Sequence, residues 1–217
     1  MKFIHSGQAS EMTIDHLYVA GWTGRDQAAV DHHIAELAEI GISPPSQVPL
    51  YYRVTNSLLT HANAIEVLGE GTSGEVEPLL VQQNGKLWLG LASDHTDREL
   101  EAHSVACSKQ ICLKPAAQEL WDYDEIKDDL DSLTMSCSIL ENGEWVIYQQ
   151  GSLANIRPLA ELISASGLGD NGAMLCGTLS AIGGVRPAYD YKMELNDPIR
   201  NRQISLSYSV KKLPSIS

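Results

Sequence analysis

Two strand–Asn-Gly–strand units constrain this chain more than any other feature. Asn84-Gly85 separates residues 75–83 from 86–94, and Asn142-Gly143 separates 133–140 from 145–149. Asn-Gly is the preferred pair for a two-residue type I′ turn, because both central residues adopt positive φ. Such a turn leaves little freedom of register. With Gln83 opposite Lys86, partner numbers keep a constant sum, so Glu77 faces Ala92 and Glu75 faces Asp94. Opposed residues share a face of the sheet, as do residues two apart on one strand. Glu75, Glu77 and Asp94 therefore gather on one side, with opposed Cβ atoms about 4.5–5.5 Å apart.

The rest of the chain supports a mainly β architecture. Residues 17–20 form a short apolar run leading into Gly21, and 173–176, 189–195 and 203–210 also read as strands. The spacing of Val30, Ile34, Leu37 and Ala38 predicts a helix over 26–40, with Asp26 as its N-cap and Gly41 at its C-terminal end. Pro44-Pro45 then imposes an extended connection into a strand over 49–54. Residues 158–164 read as a short helix. The acidic stretch 122–131 reads as a solvated helix face, since Tyr123, Ile126 and Leu130 fall at near-helical spacing. Long helical crossovers between strands are missing, which argues against a doubly wound sheet. The expected class is α+β, mainly β. Pro78 removes a ladder donor, which predicts that its strand is an edge or carries a bulge.

With 217 residues, the chain suits one domain with a sizeable core. Its formal net charge of -13 argues against binding a nucleic-acid backbone, which needs clustered Lys and Arg. It leaves room for a small anion, because a bound cation and a few local bases can reverse the field inside one cleft. No window approaches the roughly 20 apolar residues of a membrane span, and the first ten residues lack the apolar run of a secretory signal. Cys107, Cys112, Cys137 and Cys176 have no C-x-x-C spacing. They read as free thiols in a reducing cytoplasm.

A lone Glu-x-Glu reads as a solvated strand edge; the register-matched aspartate changes that reading. Three carboxylates packed together repel, and either take up protons at raised pKa or share a divalent cation. All-oxygen ligands select hard ions: Mg²⁺ or Mn²⁺, with Ca²⁺ as a third candidate. Arg98, four residues after Asp94, reaches the same centre if the chain turns helical there; otherwise it pairs with Glu99 or Glu101 at the surface.

These residues resemble the fumarylacetoacetate hydrolase superfamily, whose core is a mixed β-roll holding a metal with Glu-x-Glu and a later Asp. Glu75-Val76-Glu77 is similar to that pair. Ser93-Asp94-His95-Thr96-Asp97-Arg98 is similar to the family's Asn-Asp-x-x-x-Arg segment, and Ser108-Lys109 to its Gly-Lys. Gly177-Thr178 resembles the turn that holds the substrate carboxylate. Gly24-Arg25 and His33-Ile34-Ala35-Glu36 resemble the Gly-Arg and His-x-x-Glu of a lid segment. The likeness runs in order from about residue 24 to 210. It departs at Ser93 for Asn, at Gln110-Ile111-Cys112 where an Asp commonly follows the lysine, and at Leu179 for Pro. The segment joining Glu77 to Asp94 is also shorter than usual.

The resemblance implies a single catalytic domain of the family's C-terminal β-roll type, with 1–23 as an N-terminal strand extension and 24–48 as a lid-like helical segment. It implies metal ligands Glu75, Glu77 and Asp94, catalytic His33, Glu36 and Lys109, and substrate contacts from Arg25, Arg98, Gly177 and Thr178. His32 and His33 remain alternatives for the base. The implied activity is hydrolysis of a C–C bond in a small anionic acylpyruvate-like oxo-acid, by a homodimer. Decarboxylation or keto–enol isomerisation on the same metal site is the second reading. A non-catalytic, metal-stabilised binding domain is the third.

Overall fold

The computed structural model describes residues 1–39 and 44–216, with the side chains of residues 33, 36 and 37 outside that description. The first part of the chain runs β1 (Lys2–His5), β2 (Gln8–Glu11), β3 (His16–Gly21), α1 (Gln27–Glu39), β4 (Leu50–Val54), β5 (Leu59–Thr60), β6 (Ala64–Leu68), β7 (Thr72–Ser73), β8 (Val76–Gln83) and β9 (Lys86–Ser93). It continues through β10 (Thr96–Asp97), α2 (Arg98–Glu101), α3 (Val105–Gln110), β11 (Lys114–Pro115), β12 (Glu119–Asp122) and α4 (Tyr123–Ile126). The last part comprises β13 (Thr134–Glu141), β14 (Glu144–Ser152), α5 (Leu159–Ser166), β15 (Gly172–Leu175), β16 (Asp190–Asp197) and β17 (Arg202–Leu213). The class is α+β, dominated by strands, as expected.

Two sheets organise the chain. The larger has the order β2-β1-β12-β9-β8-β15-β3-β4, and the smaller β14-β13-β16-β17-β6. Both Asn-Gly turns form with the required backbone: φ is 53° at Asn84 and 71° at Gly85, and 52° and 86° at Asn142 and Gly143. The first hairpin has the expected register, from Gln83↔Lys86 through Glu77↔Ala92 to Val76↔Ser93. The Asp94 N–H donates to the Glu75 carbonyl at 3.0 Å, which carries the ladder to the acidic residues. In the second hairpin a bulge between Cys137 and Ser138 shifts the register.

Alternation along β8 divides the core. Val76 and Leu80 join the cluster with Tyr191, Met193 and Tyr208 of the smaller sheet. Leu79 and Val81 join Leu17, Val19 and Leu120 on the other face. Glu77 therefore shares its face with Leu79 and Val81, away from the smaller sheet.

The expectation for Pro78 is corrected. Its strand lies in the interior of the larger sheet, between β9 and β15, and is regular. The Cys176 N–H donates to the Pro78 carbonyl, so the missing Pro78 N–H belongs to the β15 side, at the level where β15 ends. A proline costs a ladder bond only where a partner strand continues.

The helix expected over 26–40 is α1, with the N–H groups of Ala28 and Ala29 both donating to Asp26 Oδ1. Gly41 lies outside the described residues. The acidic stretch folds as α4 and a 3₁₀ turn at Leu130–Ser132; Tyr123 and Ile126 are buried, while Asp124 and Glu125 are exposed. All four cysteines are free, and only Cys107 is exposed. Among the described residues, no helix is long and apolar enough to cross a membrane.

Candidate metal centre

The hairpin register delivers the carboxylates together. Glu75, Glu77 and Asp94 each offer an oxygen, and these atoms lie within 4.8 Å of one another. Glu77 is 2% exposed and Asp94 fully buried. The cluster is anchored from several directions. Gly177 donates its N–H to Glu77 Oε2 at 2.7 Å. Lys109, carried on α3, donates from Nζ to Asp94 Oδ2 at 2.5 Å. Arg98, at the start of α2, lies 3.1 Å from Glu75 Oε1 and also bonds Glu101 and the Ser73 hydroxyl. The two sequence readings of Arg98 thus merge: it pairs with Glu101 and reaches the centre as well.

The charges are unevenly held. Burial, then the neighbouring Asp94 and Glu75, push the Glu77 carboxyl well above its ordinary value, against the pull of Lys109 and the Gly177 N–H. Burial also opposes ionisation of Asp94, but Lys109 and Lys114 outweigh it and hold Asp94 below the usual carboxylate range. Burial lowers the pKa of Lys109 and Asp94 raises it, with a net upward shift. The site therefore contains a stable pairing of Asp94 with two lysines and one carboxyl, Glu77, whose charge is only partly compensated. A donor set of three carboxylates, one of them destabilised by its own neighbours, fits a hard divalent ion.

Several of these residues were missed at the level of sequence. Lys114 is fully buried, with Nζ 2.9 Å from Asp94 Oδ1 and 2.6 Å from the His95 carbonyl. Gln149, on β14, accepts from the Val76 N–H and donates to the Thr178 hydroxyl and the Leu179 carbonyl. Thr178 in turn donates its hydroxyl to the Val76 carbonyl at 2.8 Å. The Gly177-Thr178 turn is thus bound to the strand that carries Glu77. Gly177 has φ 101°, and a Cβ there would lie 1.6 Å from Thr23 Oγ1, so both backbone and space demand glycine.

The other candidate residues are placed differently. Arg25 grips Asp131 with both terminal nitrogens and donates to the carbonyls of Leu153 and Ile156. The charges acting on it are those of Asp131 and Glu161 rather than the three carboxylates. His33 and Glu36 lie on α1, and their side chains fall outside the described residues; His32, beside them, is exposed.

The mixed sheets that carry this cluster have the β-roll fold that the resemblance to the fumarylacetoacetate hydrolase superfamily implied. The structure of 2-keto-3-deoxy-D-arabinonate dehydratase complexed with magnesium and 2,5-dioxopentanoate is similar at 17% identity and a TM-score of 0.64, covering 94% of this chain and 75% of that one. Cg1458 with inhibitor is similar at 19% identity and a TM-score of 0.65, covering 96% and 84%. So is 5-carboxymethyl-2-hydroxymuconate delta-isomerase from Mycobacterium smegmatis, at 13% identity and a TM-score of 0.61, covering 96% and 84%. No curated protein matches the chain significantly in sequence. By sequence the chain belongs to the DUF2848 family, described as a protein of unknown function, which matches residues 20–208.

Proposed function

We propose that this protein is a divalent-metal-dependent enzyme acting on a small 2-oxo-acid without attack by water, as a decarboxylase, keto–enol isomerase or dehydratase. The observation that carries the reading is the convergence of half-buried Glu75 with buried Glu77 and Asp94 in one cluster, with Lys109 bonded to Asp94. Glu75, Glu77 and Asp94 would hold Mg²⁺ or Mn²⁺. A hard ion there supplies Lewis-acid stabilisation of the negative charge that develops on the substrate's carbonyl oxygen. Arg98 fixes Glu75, and the Gly177 N–H fixes Glu77. Lys109, slightly exposed beneath Tyr52, is the cation placed to meet a substrate carboxylate. Four carboxylates, counting Glu101, face the three cations Arg98, Lys109 and Lys114. A dication would leave one positive charge, which suits a mono-anionic oxo-acid.

The names of the structural neighbours, a dehydratase and an isomerase, support the non-hydrolytic reading. The hydrolytic alternative requires His33 and Glu36 to activate water. Incubating the Mn²⁺-loaded protein with oxaloacetate, acylpyruvates and 2-oxo-3-deoxy sugar acids, with products followed by NMR, separates the two. Loss of CO₂, tautomerisation or loss of water is expected. Cleavage of an acylpyruvate into pyruvate and a carboxylic acid would overturn the proposal in favour of a hydrolase. Metal uptake with no turnover on any of these compounds would favour a binding domain.

A further inference from the structure

Beneath the carboxylate cluster, on the opposite face of the larger sheet, lies a buried polar network that the proposed chemistry does not use. Its centre is a cross-strand pair, Tyr191 on β16 and Tyr208 on β17, in direct register. Their rings stack 4.9 Å apart at 10°. The Tyr208 hydroxyl lies 2.9 Å from Ser93 Oγ and 3.0 Å from His95 Nδ1, while His95 Nε2 lies 2.9 Å from Thr72 Oγ1. Tyr191 accepts the Gly74 N–H at 3.1 Å. All of these side chains are buried.

The partners are not scattered. Ser93 and His95 are the two residues that flank Asp94, and Gly74 immediately precedes Glu75. Ser93 and His95 both turn to the Tyr208 hydroxyl, whereas Asp94 between them turns to Lys109 and Lys114, so the side chains at 93 and 95 point away from the one at 94. Their bonds to Tyr208 therefore hold the backbone of Asp94 from behind without occupying its oxygens. Tyr191 does the same for the start of the strand carrying Glu75 and Glu77. Gly74 has no room for a side chain: a Cβ would lie 2.1 Å from the Tyr208 hydroxyl and 2.9 Å from Ser93 Oγ. The hydroxyl thus seats against both strands of the ligand-bearing hairpin at once.

We infer that the stacked pair Tyr191–Tyr208 is a positioning device for the metal centre, with Tyr208 setting the separation of Asp94 from Glu75 through Ser93, His95 and Gly74. The inference rests on the metal-binding reading above. Groups bonded directly to metal ligands typically change metal affinity by about 10–100-fold when removed, and Tyr208 acts one step further out, through the chain neighbours of Asp94, so the lower end of that range applies.

The test is titration of Mn²⁺ into the full chain by calorimetry, for wild type, Tyr208→Phe, Tyr191→Phe and the exposed control Tyr189→Phe. Phenylalanine keeps the ring stack and deletes only the hydroxyl. Tyr208→Phe is expected to weaken Mn²⁺ binding about 10-fold. Tyr191→Phe, which releases one N–H, should weaken it less, and Tyr189→Phe should leave it unchanged. The rise in Tm on adding Mn²⁺ should shrink in parallel, a readout that a merely structural tyrosine would not move. Should Tyr208→Phe fail to fold, Ser93→Ala carries the same expectation by removing one partner of the hydroxyl. A folded Tyr208→Phe or Ser93→Ala variant that binds Mn²⁺ as tightly as wild type overturns the inference while leaving the metal centre intact. A wild-type protein that takes up no Mn²⁺ overturns the metal reading itself, and this inference with it.

Discussion

Replacing Glu77 with glutamine should stabilise the metal-free protein while abolishing its response to metal. The side chain is 2% exposed and is repelled by Asp94 and Glu75, and its main compensations are Lys109 and one N–H from Gly177. Glutamine preserves the shape and can still accept the Gly177 N–H, but carries no charge. An imperfectly satisfied buried polar group costs about 1–3 kcal/mol, and more when ionised. For a chain of this length each kcal/mol moves Tm by about 2–4 °C. The gain has a defined pH dependence. Because the folded-state pKa of Glu77 is raised, wild type is spared the burial penalty below the unfolded value of 4.5 and loses stability as pH rises through the folded value. In EDTA, the Tm advantage of the variant should therefore be near zero at the acidic end and grow toward neutral pH. Mg²⁺ at 100 times its Kd should return about 2.7 kcal/mol to wild type and nothing to the variant. Thermal melts from acid to neutral pH, with and without Mg²⁺, read all of this. A variant less stable than wild type in EDTA at neutral pH, or a difference independent of pH, would show that the buried Glu77 carboxyl does not strain the metal-free fold.

Gly177→Ala should destabilise the protein by more than about 2 kcal/mol, since it combines a positive φ with a Cβ driven into Thr23; urea unfolding measures it, and a cost under about 0.5 kcal/mol would contradict the packing. A thiol reagent should label one cysteine rapidly in the native state and four after denaturation. Cys107 is exposed, whereas burial pushes the Cys112 thiol up to about 11 and the Cys137 thiol up to about 12. Rapid native labelling of a second cysteine would show that this core opens.

The carboxylate cluster was legible because hairpin register is a local property. Once Asn84-Gly85 fixes the turn, the face shared by Glu75, Glu77 and Asp94 follows from strand alternation; the structure keeps that register out to Val76↔Ser93, and the Asp94 N–H then bonds the Glu75 carbonyl. The groups that tune the cluster were not legible, because they arrive from strands and turns distant in sequence. Lys114 reads like any surface lysine; only the fold shows that it is fully buried against Asp94. Tyr191 and Tyr208 read as strand residues of the second sheet, and nothing local says that their hydroxyls lie behind the first. Pro78 misled for a related reason: whether its missing N–H matters depends on where β15 stops, a tertiary fact.

Whether three acids from one hairpin share a single hard cation decides the function of this site. A crystal soaked in Mn²⁺, with data collected at a wavelength where manganese scatters anomalously, tests it most directly. One strong anomalous peak is expected within coordination distance of Glu75, Glu77 and Asp94. A peak elsewhere, or none at Mn²⁺ concentrations that saturate the response in solution, would contradict it.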